Sequence, residues 1–277
     1  MNLSLACTTL AVSRSGYHAH LHKSAGKRRR QDAQLACEIH TTFTASRRTY
    51  GSPRLVHALR AKGLHHGKNR IARLMREQQL QARQKRRFLP RTTVTDKAAT
   101  PAPNHLLKRP APTRPNEVWV ADITYLPTGE GWLYLAAEMD LYSRRILGWD
   151  TAQSLATTLP ASALERALQT HSTQPQSLLH HSDRGCQYTS AEFRRRLQLR
   201  AITPSMSRTA NCYDNAAMES FWSTLKTECF GAVSPTTRAQ AHAMVFDYIE
   251  TFYNPVRLHS SLGFLSPNAF EQSLQNI

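Results

Sequence analysis

The sequence predicts an α/β protein in two parts: an all-α helix-turn-helix domain, then a mixed five-stranded sheet flanked by helices. Three observations predict it. Apolar residues recur at helical spacing up to about residue 80. Prolines then crowd the stretch from 89 to 116. Beyond them, three strand-length runs joined by short turns give way to alternating helices and strands. The expected divisions are a basic N-terminal segment (1–30), a helix-turn-helix domain (31–88), a proline-rich linker (89–116) and a sheet domain with a C-terminal helical extension (117–277).

The first helix is expected from Gln31 to Phe43, where Leu35, Ile39 and Phe43 recur every fourth residue. Ser52 suits an N-cap and Pro53 a first helical position, with Leu55 and Leu59 as the apolar face and Gly63 as a left-handed stop. A third helix starts at Lys68. Ile71, Leu74 and Met75 point inward, which leaves Lys68, Arg70, Arg73 and Arg76 for the outer faces. Helix, helix, turn and basic helix is the helix-turn-helix pattern, although a plain three-helix bundle shares it. The run Arg83-Gln84-Lys85-Arg86-Arg87 favours DNA binding through Arg83, Lys85, Arg86 and Arg87. Pro90, Pro101, Pro103, Pro110, Pro112 and Pro115 then forbid a continuous helix or central strand.

In the second part, strands are expected at Val118–Leu126, Trp132–Asp140 and Ile146–Asp150, as an antiparallel meander turning at Gly129-Glu130-Gly131. A helix follows from Leu159 to His171, and a strand from Ser177 to Ser182 leads to Asp183. Thr189-Ser190-Ala191-Glu192 reads as a capping box. A fifth strand is expected at Ile202–Met206, then a helix carrying Glu219 and a last helix from Ala239 to Phe252. That order is the one found in ribonuclease-H-like folds.

The net charge is +17, from 36 Lys and Arg against 19 Asp and Glu. Such an excess favours a polyanionic partner. The 5 cysteines are odd in number and form no Cys-x-x-Cys pair, which suits free thiols in a reducing cytoplasm. For the same reason His18, His20 and His22 do not read as a zinc site. No apolar signal region and no membrane-length apolar run are expected, so the chain reads as cytoplasmic.

Against this basic background, three carboxylates stand out. Asp122 lies inside the apolar run Val118-Trp119-Val120-Ala121-Asp122-Ile123-Thr124-Tyr125, and Asp183 ends another. Glu219 lies on a helix whose Met218, Phe221, Trp222 and Leu225 share one face, with Lys226 almost above it. A buried acid without a partner is costly, so acids in apolar runs pair or hold a metal. Two metal ions about 3.5–4 Å apart stabilise both ends of an in-line phosphoryl displacement. Lys226 would suit a bound phosphate. Taken alone, Glu219 reads as a surface residue; beside Asp122 and Asp183 it reads as a ligand. Asp140 reads as a turn residue rather than a ligand, and Trp119 and Trp149 as core. His181 shares a strand face with Asp183 and suits either the site or packing. Arg257 and His259 read as structural or DNA-facing.

The motifs now resemble a known family. Trp119-x-x-Asp122-Ile123-Thr124-Tyr125, His181-Ser182-Asp183-Arg184-Gly185-x-Gln187-Tyr188 and Asp214-Asn215-x-x-x-Glu219-Ser220-Phe221 are similar to the catalytic motifs of bacterial insertion-sequence transposases of the "IS three" family, relatives of retroviral integrases. Met139-Asp140, Ser143-Arg144, Gly148-Trp149, Tyr50-Gly51-x-x-Arg54 and Tyr253-Asn254-x-x-Arg257-x-His259-x-x-Leu262 with Pro267 extend the resemblance from about residue 30 to the C-terminus. It implies an integrase-like core in which Asp122, Asp183 and Glu219 hold Mg²⁺, two ions per site, with Mn²⁺ able to substitute. It implies cleavage at DNA 3′ ends and strand transfer, on double-stranded DNA at element ends and target. It also implies a homo-oligomer on DNA and an upstream-frame fusion or partner protein, since this chain has no heptad run. Cys186 departs from the small polar residues common in the Gly185-x-Gln187 loop, Cys212 lies just before the Glu219 helix, and neither is expected to abolish activity. Two other readings stand beside this one: a nuclease that only hydrolyses, and a non-catalytic DNA-binding regulator of the element.

Overall fold

The computed structural model describes residues 3–21, 27–83, 102–107, 109–170, 178–207, 215–231 and 233–275. They form two compact units, residues 1–82 and 83–277.

The first unit is helical: α1 (Leu3–Thr9), α2 (Arg14–Leu21), α3 (Lys27–Ala45), α4 (Ser52–Ala61) and α5 (Lys68–Glu77). Leu35, Ile39 and Phe43 of α3 meet Leu55, Val56 and Leu59 of α4 and Ile71, Leu74 and Met75 of α5, all buried. The α3 helix begins before Gln31, and two short helices occupy the stretch expected to be only a basic segment. The N-cap of α4 is Gly51 rather than Ser52, with no side-chain cap; Pro53 then sits in the first turn, where its missing N–H costs nothing. Gly63 has φ of +80° and stops the helix after α4, with Leu64 N–H donating to the Leu59 carbonyl at 2.9 Å.

The second unit holds one five-stranded sheet in the order β3-β2-β1-β4-β5. The strands are β1 (Val118–Thr128), β2 (Gly131–Asp140), β3 (Ile146–Ala152), β4 (Leu179–Ser182) and β5 (Thr203–Met206). The first three form an antiparallel meander, while β4 and β5 run parallel to β1, so the sheet is mixed. Residues 89–101 lie outside the described residues, but part of the expected linker is structured: His105 N–H donates to Ser205 Oγ at 3.0 Å beside β5.

Helices cover the sheet: α6 (Thr158–Thr170), the short α7 (Cys186–Thr189), α8 (Ala191–Leu199), α9 (Ala216–Glu228), α10 (Arg238–Phe246) and α11 (Pro267–Gln275). The sequence expects one helix through Phe252; the chain instead widens after α10 into a π-helical turn, Asp247–Tyr253, and α11 was not expected. Ser190 alone caps α8, accepting from Phe193 N–H at 3.2 Å, because Thr189 ends α7. The absence of a side chain at Gly148 lets α6 lie close on β3, since a Cβ there would fall 2.4 Å from the Ala163 carbonyl oxygen.

Alternation along the strands sorts the sheet into two faces. Trp119, Ala121 and Ile123 point toward α6 and α8, in a core with Leu164, Phe193 and Leu197. Glu138 of β2 reaches His180 of β4 at 3.0 Å over the small Ala121 between them. Asp122 belongs to the opposite face, where α9 packs on β1.

Candidate active site

Asp122 sits mid-strand in β1, and Asp183 follows the last residue of β4, so neighbouring strands carry both acids. Along β1, the β4 strand pairs only with Val118–Val120, and among the described residues β1 runs on from Ala121 without a strand on that side. The space is taken by α9. Asn215 at its N-terminus donates to the Ala121 carbonyl at 3.1 Å, and Trp222 Nε1 donates to Asp122 Oδ2 at 2.9 Å. Met218, Phe221, Trp222 and Leu225 are buried as their spacing predicts, which leaves Glu219 exposed at the rim.

Burial raises all three acids, and the other two raise Asp122 further. Asp122 is pushed up to about 7, by burial first and then by the negative charge of Asp183; Trp222 and Ile123 N–H pull it down, and Glu219 pushes it up more weakly. Burial also raises Asp183, partly offset by the Gly185 N–H that donates to its Oδ1 at 2.9 Å. Glu219 is raised by burial. This is a donor set short of positive charge. Three carboxylates offering only oxygen suit a hard divalent cation such as Mg²⁺. Among the described residues no three such side chains converge on one metal position, and Glu219 stays exposed.

Lys226, one turn beyond Trp222, places its ammonium 4.9 Å from the centre of the Tyr125 ring, where Asp122 also attracts it. It is half-buried, and burial lowers its pKa.

The other residues singled out divide cleanly. His181 is packed rather than catalytic, bonded to Ser205 Oγ at 2.9 Å and Ser207 Oγ at 3.0 Å. Asp140 holds its turn, accepting from Asn116 N–H, Tyr142 N–H and Ser143 N–H at 2.7–2.9 Å. Arg257 is structural: its guanidinium grips both oxygens of buried Glu228 at 2.7 Å, and Tyr248 O–H donates to the same carboxylate. Trp119 and Trp149 are buried, and Trp149 Nε1 donates to Glu250.

The basic residues of the first unit need correction. Arg70 and Arg73 do not remain on the outer face; both turn to Asp32 of α3, at 2.7 Å each. The guanidinium pair satisfies a half-buried carboxylate, which its neighbours hold below the usual range. Lys68 and Arg76 stay exposed. Arg83 opens the second unit and donates to the Glu228 carbonyl there. Lys85, Arg86, Arg87, Asp214 and Cys212 lie outside the described residues.

The sequence reading missed Trp222 as a partner of Asp122, treating it as core alone. A partial signal existed: a buried indole N–H requires an acceptor, although the motif acid nearest in sequence is Glu219, not Asp122. The Asn215 contact and the Glu138–His180 pair had no local signature, because their partners are distant in the chain.

Comparison with known proteins shows which family the chain resembles. Residues 112–212 and 200–267 match models of the integrase core domain, and residues 29–88 match an HTH-like domain. The chain is 42% identical over 267 residues to the insertion element IS600 31 kDa protein of Shigella sonnei, covering 96% of this chain and 97% of that one. It is 38% identical over 274 residues to the transposase InsF for insertion sequence IS3A of Escherichia coli K12, covering 98% and 94%. A solved HTLV-2 integrase catalytic core domain in complex with magnesium overlaps 57% of this chain and 98% of its own, at 13% identity and a TM-score of 0.44. No helix among the described residues is long and apolar enough to cross a membrane. With its HTH-like domain, its integrase core and near full-length identity to InsF, the chain belongs to the IS3 family of insertion-sequence transposases.

Proposed function

We propose that Asp122, Asp183 and Glu219 hold the divalent metal on which integrase-core enzymes depend, and that the chain cleaves and joins the DNA ends of its element. One observation carries this reading: two acids on adjacent strands are both raised by burial, Asp183 raises Asp122 further, and Trp222 fastens the helix bearing the third to Asp122. Two Mg²⁺ ions, when bound, would stabilise charge on the attacking and leaving oxygens. The chain's own residues do the rest. The carboxylates orient the site, Lys226 offsets phosphate charge, and Trp222 fixes the direction of Asp122.

In the first step a water oxygen attacks phosphorus and the bond to the 3′ oxygen breaks, leaving a 3′-hydroxyl. In the second that hydroxyl attacks a phosphodiester of the target duplex, and one P–O bond replaces another. No bond to the protein forms. Holding two element ends calls for at least two copies of the chain on DNA, with an upstream-frame protein as the expected partner. The helix-turn-helix domain expected over residues 31–88 supplies duplex binding through exposed cations, Lys68 and Arg76 among them.

The test uses end DNA taken from the sequence flanking the reading frame, with Mg²⁺. Asp122→Asn, Asp183→Asn and Glu219→Gln should each abolish both steps while leaving duplex binding intact, and pairs of changes should cost no more than one. Joining by Asp183→Asn would refute its place as a ligand. Cutting without joining by the wild type would mark a nuclease, and neither activity would mark a regulator.

A further inference from the structure

Of the four tryptophans, Trp119, Trp149 and Trp222 are buried, whereas Trp132 is 49% exposed. An exposed indole alone asks for no explanation. Its setting does. Trp132 follows the turn that opens β2 and pairs with Pro127 of β1. Its ring meets the Tyr125 ring nearly at right angles, with centroids 5.0 Å apart and planes at 85°. The Lys226 ammonium lies 4.9 Å from that same Tyr125 ring. Two aromatic rings and a cation are therefore linked beside the acidic site. Tyr125 stands three steps beyond Asp122 along β1, about 10 Å at the usual rise and on the other face of the strand, so Lys226 is what joins the rings to the acidic side. That distance is about three stacked base steps along one DNA strand.

The hairpin that presents Trp132 is fastened down. Gly129 N–H donates to the Pro235 carbonyl at 3.0 Å, and Arg238 N–H to the Glu130 carboxylate at 2.8 Å. The Arg238 side chain donates to the Trp132 carbonyl at 3.1 Å. A Cβ on Gly129 would fall 2.5 Å from the Thr236 carbonyl oxygen, so the turn lies against this segment only as glycine. The ring thus faces solvent from a held backbone, which lowers the entropy cost of binding through it.

A flat apolar ligand with an attached negative charge matches this arrangement: a nucleobase against the indole, its phosphate toward the ammonium. Bases in an intact duplex are occupied by pairing and stacking, so the ligand is an unpaired one. We infer that Trp132, Tyr125 and Lys226 form a stacking platform for one unpaired nucleobase of the strand leading into the acidic site. The inference rests on the DNA-processing reading of Asp122, Asp183 and Glu219, but its test requires no catalysis.

The full chain is titrated in EDTA with a single-stranded oligothymidylate of about ten nucleotides, within the span such sites cover, and with an abasic oligomer of equal length. Oligothymidylate should quench the tryptophan fluorescence; the abasic oligomer should not. Trp132→Ala should lose the quenching and bind oligothymidylate about tenfold more weakly, the size of one lost base–aromatic stack. Trp132→Phe should lose the quenching yet recover most of the affinity, because a ring remains. Equal binding by wild type and Trp132→Ala, or equal quenching by the abasic oligomer, would overturn the platform. Asp183→Asn should keep the quenching whatever its joining activity, so failure of the platform and failure of the metal site are read separately.

Discussion

The indole N–H of Trp222 donates to the carboxylate of Asp122 at 2.9 Å, so the helix that carries one acid is tied directly to the strand that carries another. Trp222 stands three residues after Glu219, on the next turn of α9. Whatever fixes the indole therefore fixes the approach of Glu219 to the sheet.

Trp222→Phe keeps the packing and removes that bond. The bond lowers the Asp122 pKa, so its loss should raise it further and weaken the hold on metal. Loss of a partner that orients a ligand typically costs about 10–100-fold in metal affinity or activity. The Mg²⁺ needed for half-maximal joining should rise by about tenfold, with an unchanged circular dichroism spectrum. An unaltered Mg²⁺ requirement would reduce Trp222 to a core residue.

The raised Asp122 pKa has a consequence for stability. A carboxyl that titrates near 7 when folded and near the ordinary 3.8 when unfolded binds more protons in the folded state between those values. Stability in EDTA should therefore be fully present at low pH and fall as pH rises through 7. Asp122→Asn removes this loss. It should melt higher than wild type at pH 8 by roughly 5 °C, with the gap closing toward pH 4. Mg²⁺ should raise the wild-type melting temperature at pH 8 and leave Asp183→Asn nearly unmoved. Identical EDTA melting curves for wild type and Asp122→Asn across this range would refute the electrostatic account.

The Arg257 guanidinium holds both oxygens of Glu228. Both it and Glu228 are buried, and removing one partner strands the other charge away from water. Arg257→Ala should cost about 3–5 kcal/mol in denaturant unfolding. Joining should decline only as the folded fraction declines. A stable but inactive Arg257→Ala would reassign the residue to DNA.

In the helical unit, cations tied to Asp32 should behave differently from free ones. Lys68→Ala and Arg76→Ala should each lower the salt dependence of duplex binding by about one counterion. Arg70→Ala should instead lower thermal stability, because Asp32 loses a hydrogen-bonded partner, and should change the salt slope little. The reverse pattern would place Arg70 on DNA.

Local pattern made much of this legible. Leu35, Ile39 and Phe43 mark one helix by spacing, and Met218, Phe221, Trp222 and Leu225 another; each set is buried as a face. The short turn at Gly129-Glu130-Gly131 announces the β1–β2 hairpin, and the acids stand in apolar runs where an unpaired charge would be too costly. The helix ends were read less well. Ser52 and Thr189 have capping chemistry, yet Gly51 and Ser190 hold those positions, since several residues in each stretch can cap and packing selects one.

What the sequence by itself determined is the five strands, most of the helices and the three acids as candidates, because periodicity and the cost of buried charge act within a few residues. Only the tertiary structure decided which groups meet. The placement of β4 beside β1 brings Asp183 to Asp122. The short reach of that pairing opens an edge for α9, and Trp222 closes on Asp122 there. Arg70 and Arg73 likewise turn from the surface to Asp32 only once α5 packs on α3. Such contacts join segments 38 to 100 residues apart, and no local preference encodes them. They arise when burial of the apolar faces fixes the elements, and the polar groups carried along must then find partners out of water.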